Sequence, residues 1–295
     1  MIVVRDEARD LQAFHNVCRH RASMLADDGE TGTCKLIRCP YHGWSYRLDG
    51  TLLSMADFGC SSELDMANLS LHKIRVDTWK GLIFVCLSPE APDLMTWLGS
   101  IPKLSAPYPT ANDLQFHGSF TVTGDSNWKT YCDNTVEGYH LARVHPRLTD
   151  VVDRNDIEIK SYDEGALTVF HVPYRGTDTS LRGGHGIWYY RFPSFAAVLG
   201  KTSFKVDRID PLSVSSQRST SWGWYRDLSP EQRNDAFAWA KTIVEEDFSI
   251  CSRVQRNLRS GVYDKGVLSP KHEQHTATFQ ALVKKAVNTG RTNRN

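Results

Sequence analysis

Two short stretches near the start of the chain decide the fold: residues 13–21 read AFHNVCRHR, and residues 39–50 read CPYHGWSYRLDG. Each stretch holds one cysteine and one histidine close together. The pairs are Cys18 with His20 and Cys39 with His42. One such residue alone on a strand is usually a packing residue. Four of them in the pattern C-x-H…C-x-x-H are hard to obtain by chance, so we interpret the stretches as metal-binding loops.

The composition of the two loops indicates which metal they bind. When each loop supplies one thiolate and one imidazole, both cysteines can bind one iron and both histidines the other. This is the ligand set of a Rieske [2Fe–2S] cluster, in which the histidines raise the reduction potential. A structural zinc site is the competing interpretation, but zinc motifs more often place two cysteines on one loop and two histidines on the other.

The residues around these loops predict a small all-β module. Residues 44–55 have the pattern of a hairpin, with its turn at Leu48-Asp49-Gly50. Five of the twelve prolines fall within residues 88–109, which indicates a connector. We therefore predict a first domain over residues 1–100, which carries the cluster, and a second domain over residues 101–295.

The second domain has a mixed pattern that predicts an α+β fold. Residues 127–144 show the helical spacing of apolar side chains, and several strand-like runs follow. Ser229 and Pro230 form a helix start, with serine as the N-cap and proline at the first helical position. A last helix is predicted over residues 272–287.

A candidate site for a single metal ion lies in this domain. Glu137 and His140 are three residues apart, which would place them on one helix face. His140 and His145 are five apart, so the backbone must leave regular helix for both to reach one metal. Two histidines and one carboxylate form the facial triad of non-heme Fe(II) oxygenases. Asp247 is the best candidate for the carboxylate and Glu246 the runner-up, although an acidic run on a helix is often only a solvated face.

These motifs resemble those of the Rieske non-heme iron ring-hydroxylating oxygenases, in their α (catalytic) subunit. CRHR and CPYHGWSYRLDG resemble the Rieske domain, NWKTYCDNTVEGYHLARVHP resembles the iron-binding helix, and EEDFSICSRVQRNL resembles the C-terminal ligand helix. The resemblance covers almost the whole chain. It implies a Rieske [2Fe–2S] cluster and a mononuclear Fe(II). The implied ligands are Cys18, His20, Cys39 and His42 for the cluster, and His140, His145 and Asp247 for the iron.

The resemblance also implies a fold and a role for Glu137. The fold is a small all-β Rieske domain followed by a helix-grip (START-like) catalytic domain with an antiparallel sheet and C-terminal helices. Glu137 matches the acid that bridges the mononuclear site to a Rieske histidine. Most members carry aspartate there. The glutamate and the segment 254–275 resemble the branch that acts on carnitine, choline and other quaternary ammonium compounds.

The function implied is that of the oxygenase component, which uses O2 and electrons from NAD(P)H through a partner reductase, or a ferredoxin plus a reductase. The substrate would be an aromatic or related small organic molecule, attacked by mono- or dioxygenation. The alternative is a monooxygenase of a quaternary ammonium compound. Two other classes stay open: a Rieske electron-transfer protein with a non-catalytic second domain, and a zinc-stabilised binding module. The resemblance further implies a homotrimer, with electrons passing between neighbouring subunits.

The composition of the chain limits its expected partners and cellular location. The net charge of +1 gives no basic excess, so we expect no nucleic-acid partner. The sequence has no apolar run of membrane-spanning length and no signal-peptide pattern, and its seven cysteines are odd in number and scattered. We therefore expect a cytoplasmic protein with reduced thiols. Relatives usually carry several dozen residues ahead of the strand that begins here at Ile2, so we expect the opening strands of the Rieske domain to be missing.

Aromatic residues are concentrated on two predicted strands. Trp188 and Tyr190 share one face of the first strand, and Trp222 and Trp224 share one face of the second. Such a set could line a substrate pocket, where it would suit an aromatic ring or a methylated cation. Plain core packing is the alternative.

Overall fold

The computed structural model describes residues 1–59, 64–152, 155–175 and 184–292. The chain divides into two compact units, Met1–Trp97 and Leu98–Asn295. The division falls within the proline-rich segment. Among the described residues, no helix has both the length and the apolar character that a membrane span needs.

The first unit consists of short antiparallel strands. They are β1 (Ile2–Arg5), β2 (Leu11–Phe14), β3 (Ile37–Arg38), β4 (Ser45–Tyr46), β5 (Leu52–Ser54), β6 (Lys73–Trp79) and β7 (Leu82–Cys86). One sheet has the order β1-β2-β6-β7, and a second has the order β3-β4-β5. The small all-β module predicted from the sequence is therefore present.

The predicted hairpin turn holds the core of this unit together. Gly50 follows β4 with a φ of +89°, a conformation that favours glycine. A Cβ at this position would lie 2.4 Å from the ring of Phe14, which is fully buried beside Tyr46 and Leu52. Any larger residue at Gly50 would thus displace the centre of the core.

Two short helices occupy the segment that the prolines mark as a connector. They are α1 (Leu94–Leu98) and α2 (Ile101–Ser105). Pro102 lies in the first turn of α2, where its missing N–H costs no hydrogen bond. Leu98 and Ile101 are almost completely buried. The prolines thus predict a connector but give no sign of these two helices.

The second unit is built on one antiparallel sheet of seven strands. They are β8 (Gln115–Gly124), β9 (Glu158–Tyr162), β10 (Leu167–Pro173), β11 (His185–Arg191), β12 (Phe195–Leu199), β13 (Ser203–Ser213) and β14 (Ser216–Tyr225). Their order is β8-β14-β13-β12-β11-β10-β9. The sequence did not predict β8, β9 or β12. The short polar β9 and the small apolar β12 lack the alternation that identifies a half-buried strand.

Besides α2, the described part of this unit contains five α-helices. They are α3 (Trp128–Thr135), α4 (Leu141–Val144), α5 (Pro146–Val151), α6 (Pro230–Arg259) and α7 (Gln274–Thr292). The long α6 packs against β8 and β14. Its start is the predicted one, because the Ser229 hydroxyl accepts from the backbone N–H of Gln232 in a capping box. An antiparallel sheet that grips a long C-terminal helix confirms the predicted fold class.

We expect Asp133→Asn to stabilise the protein at alkaline pH. Burial raises the pKa of Asp133 to about 6, against a hydrogen bond from Gln280 that lowers it, and the charges of Glu137 and Glu273 raise it further. Since the folded-state pKa lies above the unfolded one, the protonated acid stabilises the fold at low pH, and this contribution is lost as the pH rises through about 6.

The test is urea unfolding of both proteins at pH 8 and pH 5. The variant should have a free energy of unfolding higher by roughly 1–2 kcal/mol at pH 8, after allowance for partial exposure, and by only about half as much at pH 5, where the pH lies between the unfolded and folded pKa values. Asp150→Asn is the control, since Asp150 is exposed. A gain of the same size at both pH values would contradict the prediction.

Candidate metal centres

Two tight loops of the first unit bring the four predicted cluster residues together. In the first loop, the N–H of Cys18 donates to the carbonyl of Ser23 (2.8 Å), and the N–H of Ala22 donates back to the carbonyl of Cys18 (3.0 Å). In the second, the N–H of Cys39 donates to the carbonyl of Trp44 (2.8 Å). Each loop thereby folds back on its own cysteine.

Cys39 of the second loop differs in its pKa from Cys132, a packing cysteine of the second unit. Burial alone would raise the pKa of Cys39, but hydrogen bonds from the N–H groups of Tyr41 and His42 outweigh it and lower the pKa. Burial raises the pKa of Cys132 to about 12. Cys39 is therefore set up to be a thiolate, the form that binds metal, and Cys132 is not.

The two histidines of the loops present nitrogen atoms that the protein leaves without partners. The ring centroids of His20 and His42 lie 4.6 Å apart, and Trp44 stacks on His20. The Nδ1 atom of each ring is buried and makes no hydrogen bond to any described residue. Burial and the positive charges of His20 and Arg21 lower the pKa of His42, which favours a neutral ring with a lone pair. Unpartnered imidazole nitrogens beside a stabilised thiolate fit an iron–sulfur cluster.

A second group of possible metal ligands lies in the second unit. One atom each from His140, His145 and Asp247 lies within 4.8 Å of the others. The Oδ1 atom of Asp247 is 3.0 Å from Nε2 of His145 and 3.5 Å from Nε2 of His140. Two imidazoles and one carboxylate that converge in this way suit a divalent iron.

The backbone leaves regular helix where these histidines require it. Residues 136–140 separate α3 from α4, and His145 separates α4 from α5 with φ −119° and ψ 71°. The inference that Glu137 and His140 share a helix face is therefore wrong. Glu137 reaches His140 because its carboxylate turns back over the break, where it accepts from Nδ1 of His140 and from the backbone N–H groups of Tyr139 and His140.

The structure separates the two adjacent acids of α6. Asp247 faces both histidines, whereas Glu246 lies behind His145, with its Oε2 2.7 Å from Nδ1 of that ring. Burial alone would lower the pKa of His145, but Asp247 and Glu246 outweigh it and raise the pKa above its usual value. The runner-up for the ligand thus contacts the opposite side of the imidazole.

Sequence reasoning missed Asn134 altogether and named Glu246 only as a possible ligand, although both residues position this group. Asn134 donates from Nδ2 to Oδ1 of Asp247 (2.8 Å), and Glu246 fixes the ring of His145 as just described. Hydrogen bonds of this kind orient metal ligands. Asn134 is three residues before Glu137 in the motif, but nothing in its residue type distinguishes a contact to α6 from a solvated asparagine.

A cavity opens beside the two histidines and Asp247. Phe170, Trp188 and Tyr190 line it, as do the charged residues Lys205 and Asp207. Trp188 donates from Nε1 to the hydroxyl of Tyr174 (2.7 Å), and the Tyr190 hydroxyl donates to the carbonyl of Pro193. The polar tips of both aromatic residues are therefore engaged elsewhere.

The second predicted pair of aromatic residues does not line this cavity. Ser221 donates to Asp207 and so points to the cavity side of the sheet. Side chains alternate between the two faces of a strand, so Trp222 and Trp224 lie on the face opposite to Ser221. On that face Trp224 stacks with Phe204. Including them in an aromatic box is wrong, whereas Trp188 and Tyr190 do line the cavity.

Comparison with known proteins agrees with two candidate metal centres in these two units. The chain matches the model of the Rieske [2Fe-2S] domain over residues 1–65, and that of the ring hydroxylating alpha subunit (catalytic domain) over residues 111–197 and 170–289. The chain therefore belongs to the Rieske-type ring-hydroxylating oxygenase α-subunit family. It is the catalytic subunit of a Rieske oxygenase, an oxidoreductase whose domains imply a [2Fe–2S] cluster and a mononuclear iron.

Several relatives act on quaternary ammonium compounds. The carnitine monooxygenase oxygenase subunit of Escherichia coli (strain K12) is 27% identical, over 89% of this chain and 72% of the relative. The chloroplastic choline monooxygenase of Arabidopsis thaliana is 27% identical, over 93% of this chain and 69% of the relative. A solved quaternary ammonium Rieske monooxygenase, described for carnitine oxidation and inter-subunit electron transfer, shares the fold with a TM-score of 0.85 at 22% identity, over 96% of this chain and 80% of the other.

We expect Asp247→Ala to lower the content of mononuclear iron far more than Glu246→Ala does. The first change removes a candidate ligand, and the second removes only the partner of His145, which typically weakens metal binding by about 10- to 100-fold. Iron analysis during titration with Fe(II) measures both effects.

The visible spectrum of the cluster is the internal control, because it should be unchanged in both variants. Loss of iron in the Glu246 variant alone would move the ligand assignment to that residue. Loss of the cluster spectrum in either variant would show that the two centres are not separate.

Proposed function

We propose that this chain is the oxygenase subunit of a monooxygenase for a quaternary ammonium compound. The observation that carries the proposal is the cavity beside His140, His145 and Asp247. Its aromatic rings present π faces, while their N–H and O–H groups bond to Tyr174 and Pro193. A quaternary ammonium group has no N–H to donate and binds best to such faces. The carnitine and choline specificities of two relatives point to the same class of substrate.

The side chains proposed to hold the metal centres are those predicted from the sequence. Cys18, His20, Cys39 and His42 would hold the [2Fe–2S] cluster, and His140, His145 and Asp247 would hold the iron. When bound, these groups supply electron delivery and activation of O2, with electrons coming from a reductase.

The remaining residues of the site act by orientation. Glu137 and Glu246 each contact the Nδ1 atom of one histidine, so both rings direct Nε2 towards Asp247. Asn134 fixes the carboxylate of Asp247 by its hydrogen bond. The three candidate ligands are therefore held in place by the protein itself, so that little reorganisation is needed when the metal binds.

Hydroxylation of an aromatic substrate is the second candidate, because the same rings could stack on an aromatic molecule. A dioxygenase reaction belongs to this candidate. The two candidates differ in charge: a methylated cation gains from the negative face of the rings, and a neutral or anionic aromatic acid does not.

We expect carnitine, choline or glycine betaine, but not benzoate, to stimulate O2 uptake by the purified protein with a surrogate reductase and NADH. Trp188→Leu should raise the KM for the quaternary ammonium substrate by roughly fivefold, since loss of one cation–π contact costs about 1 kcal/mol. Trp222→Leu is the matched control on the opposite face of the sheet. Stimulation by benzoate alone would support the aromatic candidate.

We also propose that the chain assembles as a cyclic homotrimer, with the Rieske histidines of one subunit next to Glu137 of its neighbour. The relative described for inter-subunit electron transfer supports this arrangement. Glu137 is suited to the role because its carboxylate bonds His140, and the adjacent Tyr139 is about half exposed. A head-to-tail contact of this type is heterologous and closes as a ring.

We expect the native mass to be that of a trimer and Glu137→Gln to stop turnover with both metals retained. Mixed trimers of His42→Ala and His140→Ala chains should recover part of the activity, because an intact cluster then faces an intact iron site across one interface. Light scattering and iron analysis establish assembly and metal content. Mixed trimers that form but stay inactive would rule out the inter-subunit route.

A further inference from the structure

A buried ion pair lies in the same cavity as the candidate iron ligands. The ammonium of Lys205 is 2.7 Å from Oδ1 of Asp207, and the hydroxyl of Ser221 donates to the same oxygen. The side chain of Asp207 is 9% exposed and that of Lys205 is 16% exposed. Both residues point to the cavity side of β13, and neither has a role in the site as described so far.

Asp207 and Lys205 differ in the hydrogen-bonding capacity that remains free for a ligand. Both carboxylate oxygens of Asp207 already accept hydrogen bonds. Lys205 has three N–H donors, and within the part of the chain that the structure describes its hydrogen bonds go to Asp207 alone. Lys205 is therefore the member that can bind a ligand, and a lysine with spare donors binds an anion.

Apart from its partner Asp207, Lys205 has no acidic side chain in the narrow gap beside it, although Glu137 and Asp247 line the larger cavity. The α6 residues that line the gap next to Lys205 are Ala236, Trp239 and Ala240, none of them acidic. A buried ion pair costs desolvation that its own attraction often fails to recover, so it is weak evidence for a stabilising role. Of these α6 residues, Ala236 and Ala240 have small side chains that border the gap.

We infer that Lys205 binds the carboxylate of the substrate, so that the substrate is a zwitterion with a quaternary ammonium group at one end and a carboxylate at the other. The inference rests on the proposed function. The ammonium end would lie against Trp188 and Tyr190, and the carboxylate would share Lys205 with Asp207. Carnitine and glycine betaine have both ends, whereas choline has only the cation. The chain would therefore favour betaine-type substrates over choline.

The alternative is that the pair only fastens β13 to β14 through Ser221. In that case its loss would affect the sheet, and the binding of every substrate would fall by a similar factor. Recognition of a carboxylate predicts instead that the loss depends on whether the ligand has one. A comparison of carnitine and glycine betaine with choline therefore separates the two roles.

The experiment is anaerobic calorimetric titration of the iron-loaded protein with carnitine, glycine betaine and choline. K205M alone would leave the charge of Asp207 buried and unpaired, so the main variant is K205M/D207N, which removes both charges and keeps an acceptor for Ser221. D207N alone keeps the ammonium. K201M is the matched control, because Lys201 is exposed.

We expect K205M/D207N to weaken the binding of the preferred betaine by about tenfold or more, as for loss of a hydrogen bond between charged groups, and to leave choline within about twofold. D207N should keep the preference for the carboxylate ligands, and K201M should change nothing. Equal losses for all three ligands, or no loss, would overturn the role of Lys205 while leaving the proposed function intact. A wild-type protein that binds none of the three would overturn both.

Discussion

The carboxylate of Asp247 is the contact on which the catalytic unit depends. It lies on α6, yet it meets His140 and His145 from the irregular segment between α3 and α5, and Asn134 of α3 donates to it. One oxygen atom thus joins the long helix to the segment that crosses beside it. All three partners have to reach one buried carboxylate, and the breaks in the helix at residues 136–140 and at His145 allow the two histidines to do so. The cavity exists because these elements are held at that separation.

In the first unit, backbone hydrogen bonds within the loops position the cysteines and histidines. Its loops are too short to have a core of their own, and they are held by backbone hydrogen bonds that return to Cys18 and Cys39. The hydroxyl of Tyr46, which belongs to the buried core, lies 3.3 Å from Sγ of Cys18. Both cysteines are therefore buried, and Cys18 contacts the core, while the two histidines are more exposed. This difference suits a cluster that must be stable on one side and approachable on the other.

The structure brings together the residues that the sequence predicts for both centres, but the sequence did not predict their local geometry. Cysteine and histidine pairs at short spacing are specific enough to identify, and Ser229-Pro230 identified the start of α6, because these signals are local. The departure from helix predicted between His140 and His145 is present at His145, but the break at residues 136–140 was not predicted, since it depends on how the carboxylate of Glu137 competes with helical hydrogen bonds. The roles of Glu246 and Asn134, and the face on which Trp222 lies, depend on contacts between distant segments. Periodicity alone cannot supply those contacts.

The length of α6 has a consequence for how the protein tolerates change. The helix has 30 residues, and Asp247 lies near its middle, with about 26 Å of helix between it and the cap at Ser229. The ends of a helix fray, but fraying affects only the terminal one or two residues. Fraying at either end of α6 therefore does not reach Asp247. Substitutions near Ser229 or after Arg259 should therefore leave the position of Asp247 unchanged.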